Sequence, residues 1–453
     1  MATSFKLIKG NVTISLNDAN YTYLSQYTPA VADFGADSVT ESAIIIIDGN
    51  AALLDTYKVG LIKMLYNAFA RQNNRSLDKT FIHFQPNGAA ASYRSEILGG
   101  RIANEKNAHG EAWGKNAIEF TLIWTRRNYW EGDEVQVPLS NTNGTDNTAG
   151  LNIYNCNDGA GSSPNDRVNY CDIDGGDVAG DLPAATRIEM VNTYATSVLS
   201  YIWIAQNITT PATFVWNYEG EDASGGTPTI DAVNSSGGDY NLLSVSSGPA
   251  FQELLTWTLT AAAVDAAKGG MVKALLRFSS SSDPADDIWW RFSMKVNGYK
   301  LWQSGRAKID SNYGLLIRDI LTFNLPPWLR GQTNQDEIDL ILEGQQETGG
   351  TVAPKIDTLY LLPADGWRYI QTNDSIANGE RVVDDGINDL VYVDDAEGDD
   401  KRSACVGYGV PIALDPAVNQ RLYFLQHTGT GDVAQVDRLL VVKAFCRPRR
   451  YTI

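Results

Sequence analysis

The stretch that decides the fold of the N-terminal region is SVTESAIIIIDGNAALLDTYKVGLIKMLYNAFARQ, residues 38–72. Residues 38–47 are rich in β-branched side chains and are followed by an Asp-Gly pair, which predicts a β-strand closed by a turn. Residues 51–72 contain no proline, and apolar side chains recur there every three or four residues. This spacing predicts a helix whose apolar stripe lies on a sheet. The stripe contains Leu54, Tyr57, Leu61, Leu65 and Phe69.

Strand patterns surround this helix. Residues 12–16 precede it, and residues 80–85, 92–102 and 117–126 follow it, the last with alternating apolar and polar side chains. The predicted order is therefore strands, one helix and a β-meander. Further strand-like segments, separated by turn residues, continue to the C-terminus. The predicted fold class is mainly β, with one packed helix.

The length of 453 residues exceeds what a single hydrophobic core supports. Composition shifts divide the chain into four segments. Residues 1–133 form the first domain, and 134–212 form the first part of a β-sandwich. Residues 213–363 have the strand and turn spacing of an antiparallel jelly roll. Residues 364–453 are short for a domain, so one prediction is that they complete the sandwich begun at residue 134, with the jelly roll inserted between its halves.

The charge is strongly acidic, with 36 Lys and Arg against 54 Asp and Glu, a net charge of −18. Such a chain repels phosphate backbones and anionic bilayers, so nucleic-acid binding is not expected. The apolar runs are far shorter than the roughly 20 residues that span a bilayer, so membrane insertion and a secretion signal are not expected. The four cysteines include no CxxC pair and are predicted to be reduced, with a Cys156–Cys171 bridge as the alternative.

Catalytic constellations are not visible in the sequence. There are three histidines, and His83 lies in an alternating strand where a structural role is expected. Serine-hydrolase, Walker and dinucleotide motifs are missing. Adjacent acidic residues at 286–287, 384–385, 394–395 and 399–400 point to opposite faces of a strand and are expected in turns or facing solvent. No catalytic residue is assigned, and the chain is predicted not to be an enzyme.

Three carboxylates, Asp172, Asp174 and Asp177, lie on a glycine turn in the sequence CDIDGGD. Clustered carboxylate oxygens suit calcium, so a structural calcium ion is one hypothesis and no other cofactor is expected. An Asx turn without a metal is the alternative.

Aromatic side chains suggest a second kind of site. The candidates for sugar stacking are Trp289, Trp290, Arg291 and Trp302. Alternation along a strand predicts that one of Trp289 and Trp290 is in the core.

Residues 39–47, 51–72, 92–102 and 118–130 together resemble the N-terminal domain of siphophage distal tail proteins, which share the split β-barrel of tail-tube proteins. The resemblance implies a ring, with six copies, that links the tail tube to the tail tip. It implies the tail tube protein, the tape-measure protein and the tail hub as partners, and a place in the virion tail after synthesis in the host cytoplasm. The residues assigned to contacts between copies are Val39, Ile45 and Ile47 on the first strand, and Arg449 and Arg450 in the basic tail.

Residues 252–363 resemble a galactose-binding-type jelly roll, a fold that many carbohydrate-binding modules use. This resemblance implies that a glycan on the host surface is a partner. Two alternatives to the ring protein follow from it. One is a carbohydrate-binding receptor-recognition protein that forms no ring, and the other is a glycan depolymerase carried by the virion.

Overall fold

A computed structural model of the chain describes residues 4–17, 22–30, 35–48, 51–108, 117–146, 148–156, 166–194, 199–208, 217–232, 235–259, 271–279, 288–308, 317–324, 337–347, 349–363, 366–394, 405–427 and 438–452. Within these ranges the protein is mainly β, with several antiparallel sheets and one α-helix, as predicted.

The strands and the helix have the following bounds: β1 Ser4–Lys9, β2 Val12–Ser15, β3 Thr22–Thr28, β4 Ser38–Asp48, α1 Ala51–Arg71, β5 Thr80–Gln85, β6 Tyr93–Ala108, β7 Ala117–Arg127, β8 Trp130–Glu131, β9 Val135–Val137, β10 Leu139–Asn141, β11 Gly144–Asp146, β12 Leu151–Tyr154, β13 Tyr170–Ile173, β14 Ala184–Asn192, β15 Leu199–Ile208, β16 Asn217–Glu219, β17 Thr227–Ile230, β18 Asp239–Leu242, β19 Gln252–Leu259, β20 Met271–Phe278, β21 Ile288–Val296, β22 Tyr299–Gln303, β23 Ala307–Lys308, β24 Ile317–Asn324, β25 Ile338–Gln346, β26 Lys355–Pro363, β27 Trp367–Ile376, β28 Arg381–Asp385, β29 Leu390–Asp394, β30 Cys405–Gly409, β31 Ala413–Leu414, β32 Gln420–His427, β33 Leu439–Cys446 and β34 Arg449–Arg450. They belong to two compact units. The first contains Met1–Val135, Ala179–Pro183 and Arg447–Ile453, and the second contains Gln136–Val178 and Ala184–Cys446.

The first unit is built on a curled antiparallel sheet with the strand order β2-β1-β5-β6-β7-β4-β3. Strand β6 joins its two halves, because its beginning pairs with β5 and its remainder pairs with β7. The curl brings Phe5 on β1 to within 5.2 Å of Tyr27 on β3 and 5.8 Å of Trp124 on β7, measured between ring centroids. These aromatic side chains belong to the core of the unit, and the sheet therefore wraps around that core.

Helix α1 packs its buried face on this sheet. The buried side chains are Leu54, Leu61, Met64, Leu65 and Ala68. Phe69, which was expected in the buried stripe, is 59% exposed, so that part of the prediction is wrong. Phe69 comes eight residues after Leu61, which places it about 80° further round the helix and at the edge of the packed face.

Helix α1 approaches strand β6 most closely at Gly100. A Cβ atom at this position would lie 2.6 Å from the Ile123 carbonyl oxygen and 2.9 Å from Leu65 Cδ2. These distances are shorter than normal contacts, so glycine is required for the helix to reach the sheet.

We expect Gly100→Ala to lower the free energy of unfolding by about 1–3 kcal/mol, because the backbone of β7 cannot move aside for the added methyl group. Urea denaturation measures the change. Gly132→Ala is the matched control in the same unit, since its Cβ would meet Pro448 atoms at 3.8 Å, an ordinary contact distance. Equal stability of the two variants would contradict the close approach.

Among the described residues, the second unit contains four sheets. Two of them combine strands from before and after the jelly-roll segment, in the orders β11-β10-β13-β32-β15-β27-β30 and β12-β33-β14-β28-β29. The segment between contributes the other two, in the orders β17-β18-β26-β20-β24 and β19-β25-β21-β22. The pairing of early and late strands is the arrangement that an inserted jelly roll requires. The bounds of the four segments given in the sequence analysis stay a prediction.

None of the four cysteines forms a disulfide bond. Cys156, Cys171 and Cys446 are buried, and Cys405 is half-buried. No helix in the described ranges is long and apolar enough to cross a membrane.

Candidate assembly surface

An exposed apolar stripe runs along the first unit on helix α1. Val59, Ile62, Tyr66 and Phe69 are 38%, 46%, 70% and 59% exposed. They follow one another at spacings of three or four residues, so their side chains share one side of the helix. We call these four side chains the α1 face. Helix α1 is therefore apolar both where it packs on the sheet and where it meets solvent.

The α1 face borders a groove of about 600 Å³ between the helix and strand β6. The groove is lined by Lys58, Ile62, Leu65, Tyr66 and Phe69 of the helix and by residues 100–105 of the strand. Lys58 and Glu105 form an ion pair of 2.6 Å between their Nζ and Oε2 atoms, and both side chains are about one-third exposed. A groove with this lining suits an apolar partner surface.

Leaving the α1 face in water is costly. Full burial of a large apolar side chain contributes about 1.5–3 kcal/mol, and monomeric proteins rarely expose contiguous apolar patches without a function. A helix that is apolar on more than one face is usually covered. The α1 face is thus the part of the first unit best suited to bind another protein.

Charge is divided unequally between the two units. The first unit contains 16 Lys and Arg and 15 Asp and Glu, a net charge of +1. The second unit contains 20 Lys and Arg and 39 Asp and Glu, a net charge of −19. First units can therefore pack against one another without a net electrostatic penalty, whereas second units repel one another.

The side chains that were assigned to contacts between copies do not lie on this surface. Ile45 and Ile47 are in the core of the first unit, and Val39 is 9% exposed, because alternate residues of β4 face inward. Strand β4 is also paired on both sides, with β3 and β7. These three side chains are therefore not exposed on a single copy, and their assignment to contacts between copies stays a prediction.

The two arginines of the basic tail differ in their surroundings. Arg449 forms an ion pair with Glu131, with 3.2 Å between Nη2 and Oε1, and its guanidinium lies 4.3 Å from the ring centroid of Tyr129. Arg450 is exposed. Arg449 therefore holds the C-terminal strand β34 against β8 in its own first unit, and only Arg450 is placed to meet a neighbour.

The structure does not bring the predicted sugar-stacking residues together as one exposed platform. Trp290 is fully buried, and Trp289 is covered by the guanidinium of Arg306 at 4.4 Å from a ring centroid. Trp302 packs against Phe323, with 5.2 Å between ring centroids. Trp290 is thus the core member of the tryptophan pair, and sugar binding stays a prediction.

Arg291, the fourth of those residues, belongs to an ionic cluster. Its Nε donates to Glu343, and its guanidinium lies 4.0 Å from the ring centroid of Phe251. Burial opposes ionisation of Glu343, but hydrogen bonds from Lys300, Ser293 and Arg291 outweigh it and lower the pKa of this carboxyl. These contacts give Arg291 a structural role.

The three carboxylates of the proposed calcium site are not arranged as a ligand set. Both oxygens of Asp172 bind Arg421, at 2.6 Å from Nε and 2.8 Å from Nη2. Asp174 accepts a hydrogen bond of 2.8 Å from the Gly176 backbone N–H, which is the geometry of an Asx turn. Among the described residues, Asp177 included, no group of three His, Cys, Asp or Glu side chains is placed to hold a metal ion.

One acidic pair, Asp384 and Asp385, lies wholly within the described ranges, and it is buried on β28, which corrects the expectation that it lies in a turn or faces solvent. Asp384 is 2% exposed and binds Arg368, with 2.9 Å between Oδ1 and Nη2. Asp385 accepts hydrogen bonds from the backbone and side chain of Asn388. Asp394 is also buried. Residues 286–287, 395 and 399–400 lie outside the described residues.

A buried ionic cluster in the second unit was missed by the sequence analysis. Arg277 Nη1 lies 3.0 Å from Asp357 Oδ2, and both side chains are almost fully buried. Glu219 accepts hydrogen bonds from Ser236 and Thr358 at 3.0 and 2.9 Å. The available signal was a charged residue inside each of two apolar strand segments, 271–278 and 356–362.

Two carboxyls of the cluster are hard to ionise. Burial raises the pKa of Asp357 well above its usual range, although the positive charge of Arg277 opposes this shift. Burial also raises the pKa of Glu221 from 4.5 to about 8, and the negative charges of Glu219 and Asp222 add to it. The fold therefore favours protonated Glu221.

We expect Glu221→Gln to stabilise the protein at alkaline pH. Because the folded pKa of Glu221 lies above its ordinary value, the stability that this group contributes is complete below about pH 4 and is lost as pH rises toward 8. The variant should gain about 1–2 kcal/mol over the parent near pH 9, after allowance for partial exposure, and nothing near pH 4. Denaturation across this pH range measures the difference.

Comparison of the chain with families, curated proteins and solved structures finds weak similarities to solved structures. No family model matches the chain, and no curated protein matches it. A chain of the phage P2 baseplate in its activated conformation with calcium aligns with 45% of this chain and 72% of its own, at 8% identity and a TM-score of 0.24. The VP2 subviral particle of infectious bursal disease virus aligns with 71% of this chain and 82% of its own, at 8% identity and a TM-score of 0.18. The Gt strain of the same virus gives a TM-score of 0.16 at 9% identity, over 60% of this chain and 67% of its own. TM-scores this low do not establish a common fold.

Proposed function

We propose that the chain is a structural component of a bacteriophage tail tip, in which six copies assemble into a ring between the tail tube and the tip. The observation that carries this proposal is the exposed α1 face on a unit with a net charge of only +1. The ring and its six copies follow the resemblance of the N-terminal segments to distal tail proteins. The tail tube protein, the tape-measure protein and the tail hub are the partners in this setting.

The division of charge favours contacts that include a first unit over contacts between two second units. Assembly of the copies buries the α1 face, which the hydrophobic effect favours. Second units of −19 each would repel one another if they met at short range. A contact made by the α1 face always includes a first unit and therefore avoids this repulsion.

The proposed role is not catalytic. Burial raises the pKa of Asp357 well above its usual range, and this side chain has no exposed surface. His83 is neutral at pH 7, because burial, with the nearby Arg94, lowers its pKa to about 4. These observations favour a role in the fold for both groups.

A second candidate function is recognition of a host-surface glycan by the jelly roll. The favouring observation is the hairpin strand β22, on which Tyr299 and Leu301 are 75% and 57% exposed. A glycan array probed with the intact chain tests it. Binding that Tyr299→Ala removes would support this function, and an array without hits would end it.

Mass photometry and sedimentation of the purified chain test the ring. We expect a monomer at nanomolar concentration and a single closed species of six copies at tens of micromolar. Monomer at every concentration and salt level, with or without the cognate tail tube protein, would reject the proposal.

A further inference from the structure

The second unit has its own exposed apolar surface, at the edge strand β30. Val406 and Tyr408 on this strand are 40% and 49% exposed, and Val410 just beyond it is 60% exposed. The alternation of residues along a strand places Val406 and Tyr408 on one side, and Val410 follows directly after the strand. β30 is the last strand of its sheet, and no described strand pairs with its outer edge.

Tyrosines continue this surface across the sheet. The rings of Tyr408 and Tyr369 are stacked with centroids 5.9 Å apart, and those of Tyr369 and Tyr201 are stacked at 6.0 Å. We call Val406, Tyr408, Val410, Tyr369 and Tyr201 the β30 face. Since the rings stack on one another, most of their flat faces are already occupied, which disfavours sugar stacking and favours a protein partner.

The β30 face continues an interface that the chain already makes. On the same side of the sheet, Trp203 and Tyr423 are buried in one core with jelly-roll side chains. Lys273 of the jelly roll lies 4.7 Å from the ring centroid of Trp367. The aromatic surface thus extends beyond the part that the jelly roll covers, and its exposed part is available for contact with another protein.

A ring of identical copies requires two different complementary surfaces on each copy, because each subunit contacts its neighbours head to tail. The chain exposes two such surfaces, the α1 face and the β30 face. We propose that the α1 face of one copy docks on the β30 face of the next. This inference rests on the proposed ring and names the surfaces that close it.

The two faces are similar in length, and the charges around them are opposite in sign. The α1 face extends about 15 Å along the helix from residue 59 to 69, and the β30 face extends about 13 Å along the strand from residue 406 to 410. Lys63 and Arg101 are exposed beside the groove, whereas the unit that carries the β30 face has a net charge of −19. Contact between a first unit and a neighbour's second unit is therefore electrostatically favourable, unlike contact between two second units.

A mixing experiment tests the pairing. Ile62→Asp disables the α1 face, and Tyr408→Asp disables the β30 face, so each variant alone should remain monomeric. An equimolar mixture retains one intact pairing, between the α1 face of the Tyr408→Asp chain and the β30 face of the Ile62→Asp chain. We expect the mixture to form a heterodimer and no ring. The control Ile230→Asp, at a residue that is 83% exposed on β17, should assemble like the parent.

Other outcomes of this experiment distinguish a failure of the head-to-tail pairing from a failure of the ring proposal. If Tyr408→Asp assembles like the parent and Ile62→Asp does not, the ring stands and the head-to-tail pairing is overturned. Monomers in the mixture would also overturn the pairing. Thermal melting checks that each variant folds. A second measurement avoids destabilising changes altogether, because benzoylphenylalanine in place of Tyr408 should cross-link to α1 of another copy, and cross-links elsewhere would reject the proposal.

Discussion

The double variant Ile62→Asp Tyr66→Asp will stay monomeric at concentrations where the parent assembles. Two carboxylates placed in the α1 face would have to lose their hydration in an apolar contact, which costs several kcal/mol for each unpaired charge. Since about 1.4 kcal/mol corresponds to a tenfold change in affinity, we expect association to weaken by more than about a thousandfold. Mass photometry over a concentration series measures this loss.

The matched control for this prediction is Ile230→Asp, which also replaces an exposed isoleucine, in the second unit. It should assemble like the parent. Assembly of the double variant at the parental concentration would remove the α1 face from the interface. Circular dichroism should be unchanged in both variants, because the replaced side chains face solvent.

Arg277→Met will lower the free energy of unfolding by about 3–5 kcal/mol. The guanidinium of Arg277 is the positive charge that compensates Asp357, and both are buried without access to water. Removal of one partner leaves an uncompensated buried charge, or forces Asp357 to take up a proton. Urea denaturation measures the loss, and it should be smaller at low pH, where the Asp357 carboxyl is protonated in the unfolded chain as well.

The double variant Arg277→Met Asp357→Asn tests whether the loss of stability in Arg277→Met is caused by the uncompensated charge. It should recover a large part of the stability, because a neutral amide needs no cation. If the double variant is as unstable as Arg277→Met alone, the loss comes from packing around the arginine stem and not from charge.

Element positions could be predicted from the sequence where the pattern was long and regular. The helix expected at residues 51–72 is Ala51–Arg71, and the strand expected at 80–85 has those bounds. Strand β3, with the sequence TYLSQYT, was not predicted. It is an edge strand with mixed polarity, so its sequence lacks the alternation that marks a strand with one buried face.

The candidate surface was less accessible to sequence reasoning. The apolar side chains of α1 indicate a packed helix, but they do not reveal which of them the sheet covers and which remain exposed. Phe69 was assigned to the buried side for this reason. In the same way, the β-branched residues Ile45 and Ile47 indicate a strand, and only the three-dimensional pairing of β4 shows that they face the chain's own core.

The ionic clusters are another feature that could not be predicted from the sequence. Arg277 and Asp357 are separated by 80 positions and meet only because β20 and β26 pair. The bidentate contact between Arg421 and Asp172 likewise depends on the pairing of β32 with β13. The local motif CDIDGGD therefore suggested a metal ion as the partner of Asp172. The register between β13 and β32 instead places Arg421 beside this carboxylate.

Hydroxyl-radical footprinting of Tyr66 and Phe69 across a concentration series tests most directly whether the α1 face holds copies together. The account predicts that labelling of both rings falls several-fold as the chain assembles, while labelling of Ile230 stays constant. Rings that remain as reactive in the assembled protein as in the monomer would contradict it.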